Sequence, residues 1–178
     1  MGKRSPVQRF FLALALFLAS GVVLADLPVA PVDESSLPYG LSPSNYDNSP
    51  SNYDNSISNY DNSPSNYDNS ESNYNNSAST YDNGRNGSKR LILKDSGTPK
   101  FAGYYVSASN GVTNFFSPSG KRMFYNPKKG RAVFGGRDGS FCGVLARVDG
   151  EYSLALTERG MRVLFLSLWE TATGGSGR

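Results

Sequence analysis

From Lys89 to Leu168 the chain alternates short apolar and polar runs cut by turn residues, the pattern of an all-β domain. The runs predict strands over 89–94, 101–108, 112–116, 121–125, 131–135, 140–148, 151–157 and 161–168. Between them stand Asn110-Gly111, Ser117-Pro118-Ser119-Gly120, Asn126-Pro127 through Gly130, Gly135-Gly136 through Gly139, Asp149-Gly150 and Glu158-Arg159-Gly160. The Asp149-Gly150 hairpin is the most specific of these. Cys142, Val144, Ala146 and Val148 on one arm and Tyr152, Leu154 and Leu156 on the other are expected to share one buried face, with Glu151, Ser153, Ala155 and Thr157 outward.

Eight strands make a small antiparallel meander over residues 86–170, closed as a barrel or folded as a two-layer sandwich, since either arrangement hides strand edges. Laid over each other without gaps, residues 101–125 and 141–165 match Phe101 with Phe141, Gly103 with Gly143, Gly120 with Gly160 and Arg122 with Arg162. A duplicated four-stranded unit is the corresponding expectation. Residues 171–178 read as a disordered C-terminal tail.

Ahead of this domain, residues 44–85 are six heptapeptides: SNYDNSP, SNYDNSI, SNYDNSP, SNYDNSE, SNYNNSA and STYDNGR. One tyrosine per copy (Tyr46, Tyr53, Tyr60, Tyr67, Tyr74, Tyr81) in a background of Ser, Asn and Asp offers little apolar surface against roughly 1–2 kcal/mol per residue of backbone ordering. That balance predicts a disordered tail. A coiled coil is excluded, because one aromatic per heptad supplies no a/d pair and Pro50 and Pro64 break any helix. Residues 26–43, with Pro28, Pro31, Pro38 and Pro43, read as a proline-rich linker.

The first 25 residues combine Lys3, Arg4 and Arg9 with an apolar run from Phe10 to Ala25 and small residues before Asp26. This is a signal-peptide pattern; the run is shorter than the roughly 20 residues of a spanning helix, so cleavage near Asp26 is expected, leaving no transmembrane anchor. The expected location is secreted or periplasmic, at the cell envelope. Without the leader the chain is formally neutral, but residues 26–85 sum to −8 and residues 86–178 to +8. An acidic tail facing a basic domain follows.

Chemistry is sparse. The chain has no histidine, which removes the commonest general base and metal ligand, and Cys142 has no partner for an intrachain disulfide. No Gly-x-Ser-x-Gly elbow is present, Asp149 and Glu151 are the nearest approach to a paired-acid site, and no catalytic residue, cofactor or metal is expected. The basic residues Lys121, Arg122, Lys128, Lys129, Arg131, Arg137 and Arg162 gather near turns and form a candidate anion-binding set, although a recurrent Arg122 or Arg162 also suits tiling over an aromatic neighbour. The glycine-rich turn at Gly135–Gly139 lacks the spacing and the helix of a P-loop.

These features point to an exported, non-catalytic binding protein. In the first reading the basic β domain contacts an anionic glycan, lipid surface or nucleic acid, with the acidic repeats as spacer or competitor. In the alternative the repeat tyrosines act as stickers in a self-associating structural protein. A histidine-free hydrolase of envelope polymers is a third, lesser reading.

Overall fold

The computed structural model describes residues 26–94 and 98–174. Eight strands close into a barrel in the order β1 (Asp26–Pro31), β2 (Arg90–Leu93), β3 (Lys100–Ser107), β4 (Thr113–Phe116), β5 (Arg122–Asn126), β6 (Ala132–Gly135), β7 (Phe141–Val148) and β8 (Glu151–Leu156). Strands β2 to β8 run antiparallel and coincide with seven of the runs read from the sequence. β1 lies between β2 and β8 and is parallel to both.

The eighth strand is therefore not where the pattern put it. Residues 161–168 belong to a helix, α1 (Glu158–Ala172), which extends into the segment expected to be a disordered tail. Thr157 caps it by accepting the Gly160 N–H, and Glu158 sits in its first turn. Met161, Leu164 and Leu168 recur at helical spacing toward the barrel. Gly160 lets the first turn approach β7, where a Cβ would lie 2.2 Å from the Cys142 carbonyl oxygen.

The proposed duplication fails at the same point. The first copy continues from β3 and β4 into β5, whereas the second continues from β7 and β8 into α1. What the halves do share is Gly103 and Gly143, each pressed against a neighbouring strand so that a Cβ would fall 2.0 Å from the Phe116 oxygen or 2.1 Å from the Ala155 oxygen. The close approach accounts for this matched glycine pair.

The barrel interior holds Leu27, Val29, Leu91, Tyr105, Phe115, Phe124, Val133, Cys142, Leu145, Leu154 and Leu156, with Leu164 of α1 packed on them. An irregularity in the β6–β7 register corrects the predicted hairpin faces: Leu145 stands opposite Leu154 inside, and Val144 opposite Ala155 on the other face. The Asp149-Gly150 turn itself forms as expected, with φ of 51° and 83°.

The outer face is not left to solvent. Tyr104, Val106, Phe116, Tyr125, Phe134, Phe141, Val144 and Ala155 are buried there, as are Ser153 and Thr157, which the alternation placed in water. Their cover is the connection from β1 to β2. Parallel neighbours need a crossover that returns the chain to the starting end, and here residues 32–89 make it as a strap laid around the barrel. Leu37, Leu41, Ile57 and Ala78 of the strap pack on the outer aromatic residues. Covering one such ring is worth roughly 1.5–3 kcal/mol.

The repeats are thus ordered, contrary to the expectation of a disordered tail. Single 3-10 turns form at Tyr46–Asn48, Tyr53–Asn55, Tyr67–Asn69, Tyr74–Asn76 and Tyr81–Asn83, and Tyr60–Asn62 closes a similar turn through the Asn62 N–H and the Asn59 carbonyl. Composition misled because this order is built on hydrogen bonds within the strap and on apolar area supplied by the barrel.

Candidate functional site

Within each heptad the side chains divide by duty. The second-position asparagines Asn45, Asn52, Asn59, Asn66 and Asn73 each accept, through Oδ1, the N–H two residues on at 3.0–3.1 Å. The fifth-position asparagines Asn48, Asn55, Asn62, Asn69, Asn76 and Asn83 are buried. Each donates Nδ2 to two carbonyls of the preceding copy, as Asn62 does to Asp54 at 2.8 Å and Ser56 at 3.1 Å. The sixth-position serines Ser49, Ser56, Ser63, Ser70 and Ser77 accept the N–H of the residue two further on. Together these bonds do for the strap what a ladder does for a sheet.

At the seventh position, the variable one, four of the six residues contact the barrel, while Pro50 and Pro64 are exposed. Ile57 and Ala78 meet apolar surface. Glu71 Oε1 accepts the Arg122 backbone N–H at 2.8 Å, and the Arg85 guanidinium lies 5.5 Å over the Phe101 ring. Further bonds seat the strap. Tyr125 donates its hydroxyl to the Asn55 carbonyl at 2.8 Å, Tyr104 to the Asn76 carbonyl at 2.6 Å, and Asn110 Nδ2 to the Asp61 carbonyl at 2.8 Å. Ser109 also donates to the Asp68 carboxylate.

The first and third positions are exposed in all six copies, and the fourth in all but Asp68, which is half-buried. The six repeat tyrosines are 62–85% exposed, and Tyr39, seven residues before Tyr46, is 70% exposed. Tyr39 reveals a copy that the reading of residues 26–43 as linker missed. Leu37–Pro43 aligns with the repeat through Tyr39, Ser42 and Pro43, and Asn48 Nδ2 bonds the Gly40 and Ser42 carbonyls as later copies bond their predecessors. Leu41 takes the place of the buried asparagine and packs on the barrel instead. The spacing from Tyr39 to Tyr46 and the shared Ser-Pro ending were the available signal.

The predicted basic set is scattered. Arg122 is 8% exposed, its Nε donating to Asn114 Oδ1 at 2.7 Å and its guanidinium lying 4.8 Å over the Tyr125 ring. Burial lowers its pKa to about 10. Asn114 in turn donates to Asn69 Oδ1 at 3.0 Å, so Arg122 belongs to the strap–barrel seam and does not face solvent anions. The tiling expected for this arginine is what the structure shows. Lys121 pairs with Glu170 of α1 at 3.3 Å, and Arg162 with Glu158 at 2.9 Å within α1. Lys128, Lys129 and Arg131 share the exposed β5–β6 turn, and Arg137 lies on the exposed β6–β7 turn.

Acid–base chemistry finds little footing in this geometry. Asp149 sits in its hairpin turn, and Glu151 pairs with Lys94. A cleft of about 790 Å³ between residues 32–34 and α1 is lined by Asp33, Glu34 and Glu158. Hydrogen bonds from Ser35 hold the Asp33 carboxyl below the usual range, and Glu158 is paired with Arg162. Burial raises the Cys142 thiol to about 11, away from nucleophilic use.

Comparisons of the chain with protein-family models, curated proteins and solved structures return no match, so the strap and its row of tyrosines stand on their own geometry.

Proposed function

We propose that this is an exported, non-catalytic binding protein whose recognition surface is the outer face of the strap, with Tyr39 and the six repeat tyrosines as its contact residues. One observation carries the reading: all seven copies, the degenerate first one included, keep a tyrosine at the third position, and every one of these rings is exposed. In the first copy the asparagines have become Pro38 and Leu41, and in the last copy Thr80 and Gly84 replace a capping asparagine and a bonding serine, although Ser42 and Asn83 keep their backbone bonds. Packing gives no reason to keep a large, exposed ring at every turn. Recognition does.

Export is supported by the leader pattern of residues 1–25, which lie outside the described residues. The test compares the intact protein with a chain carrying serine at all seven tyrosine positions, in co-sedimentation with neutral, cationic and anionic polymers and in light scattering for self-association. Binding or association that the serine chain loses, with an unchanged melting temperature, is the expected result. Equal behaviour of the two chains overturns the reading.

Lys128, Lys129 and Arg131, exposed together at the β5–β6 turn, favour a second reading in which that hairpin contacts an anionic surface. Replacing all three with glutamine then abolishes salt-sensitive binding to anionic vesicles or polymers. No change on that substitution removes the reading.

A further inference from the structure

Resting on the strap as the recognition surface, we infer that its ligand is a neutral polysaccharide whose successive sugar rings stack on the tyrosines. The tyrosines are presented periodically. The asparagine caps of the repeat turns at Asn45, Asn52, Asn66 and Asn73 adopt nearly one conformation, with φ from −78° to −71° and ψ from 124° to 127°. Each copy therefore presents its tyrosine in the same way, and a row of equivalent sites suits a partner that repeats at a constant interval. Polysaccharides have that property. Most protein surfaces do not.

The chemistry at and beside each ring suits a sugar. A tyrosine offers a flat apolar face with a polar tip, and the C–H face of a pyranose is its complement. In five of the six repeats the next residue, Asp47, Asp54, Asp61, Asn75 or Asp82, is an exposed oxygen acceptor suited to a sugar hydroxyl, while in the fourth Asp68 is taken by Ser109. Asn75 is informative, because it keeps an acceptor and discards the charge. A cation-binding row has no reason to permit that exchange, whereas hydroxyl recognition does.

The field along the strap is negative. Residues 44–85 carry six acids against one base, so an anionic polymer meets repulsion along the whole row. The seating of the strap on the barrel adds pre-organisation: the rings need no ordering of the backbone on binding, and weak equivalent contacts on one polymer chain multiply.

The experiment is affinity electrophoresis of the intact protein in gels containing hydroxyethylcellulose, mixed-linkage β-glucan, galactomannan or dextran, with alginate, poly-lysine and single-stranded DNA alongside. Retardation by at least one neutral polymer is expected, unchanged by salt. Serine at Tyr53, Tyr60, Tyr67 and Tyr74 is expected to weaken it by about tenfold or more. A second variant, with serine at Tyr60 alone, is expected to weaken retardation by a smaller factor and serves where the fourfold serine chain fails to fold. Unweakened retardation of that variant, or no retardation by any neutral polymer, overturns the polysaccharide. Tyrosine-dependent binding confined to poly-lysine or to a second copy of the chain also overturns it while leaving the strap as recognition surface; binding indifferent to the tyrosines overturns both.

Discussion

Tyr125, on β5, donates its buried hydroxyl at 2.8 Å to the main-chain carbonyl of Asn55, seventy residues earlier in the chain. Tyr104 repeats the arrangement on β3 with Asn76. Each phenol therefore belongs to the barrel by its ring and to the strap by its oxygen. Tyr125→Phe or Tyr104→Phe leaves a carbonyl at the seam without its donor, at an expected cost of about 1–3 kcal/mol. Urea denaturation measures the cost, and amide exchange is expected to quicken in the copy that lost its anchor.

The division of labour inside the heptad predicts opposite responses from neighbours two residues apart. Asn62→Ala removes both bonds that the buried amide makes to the preceding copy and is expected to destabilise by about 1–3 kcal/mol. Tyr60→Ser, on an exposed ring, is expected to change stability by no more than about 0.5 kcal/mol. Equal losses from the two substitutions contradict the assignment of duties.

Strap length is matched to the barrel, because Ile57, Glu71, Ala78 and Arg85 each meet a different part of it. Deleting residues 58–64 shifts the later contacts by one copy and shortens the crossover from β1 to β2. A loss above about 3 kcal/mol is expected. Inserting one heptad after Pro64 costs less, since the surplus can loop out and loop entropy grows slowly with length. Matching denaturation midpoints for deletion and insertion contradict a fitted strap.

Alkaline pH tests the buried phenols. Burial raises Tyr105 from its ordinary value near 10 to about 12, and raises Tyr104 and Tyr125 as well. These groups keep their protons in the folded chain where the unfolded chain has lost them, so their contribution is complete below about pH 10 and is lost as pH rises through the folded values. Arg122, lowered to about 10, works in the opposite direction over the same range, against these tyrosines and the Cys142 thiol, which burial holds near 11. Denaturation midpoints are expected to fall steadily from pH 10 upward, and Tyr125→Phe flattens the slope.

Strands β2 to β8 were legible because alternation and glycine turns are local, and the Asp149-Gly150 hairpin carried its own turn chemistry. β1 was not: Leu27, Val29 and their prolines give too short a run, and strand pairing there depends on residues 90–93 and 154–156. The apolar run at 161–168 is equally good as strand or helix on periodicity alone. Thr157 followed by Glu158 was the cap signal, and β1 already fills the eighth place in the barrel. For the candidate site, the tyrosine row was legible but its rigidity was not, because an accounting by apolar area gives no weight to an asparagine with two carbonyls to bond. The alternation at residues such as Ser153 and Ala155 marked the correct face and the wrong surroundings, since no local pattern announces a cover contributed from a hundred residues away.

The parallel seating of β1 also sets the order of events when the chain is made. The strand that leaves the ribosome first pairs with Arg90, 64 residues later than Asp26, and with Leu154, 125 residues later than Val29. Barrel closure therefore waits for nearly the whole polypeptide, the kind of distant pairing that slows folding.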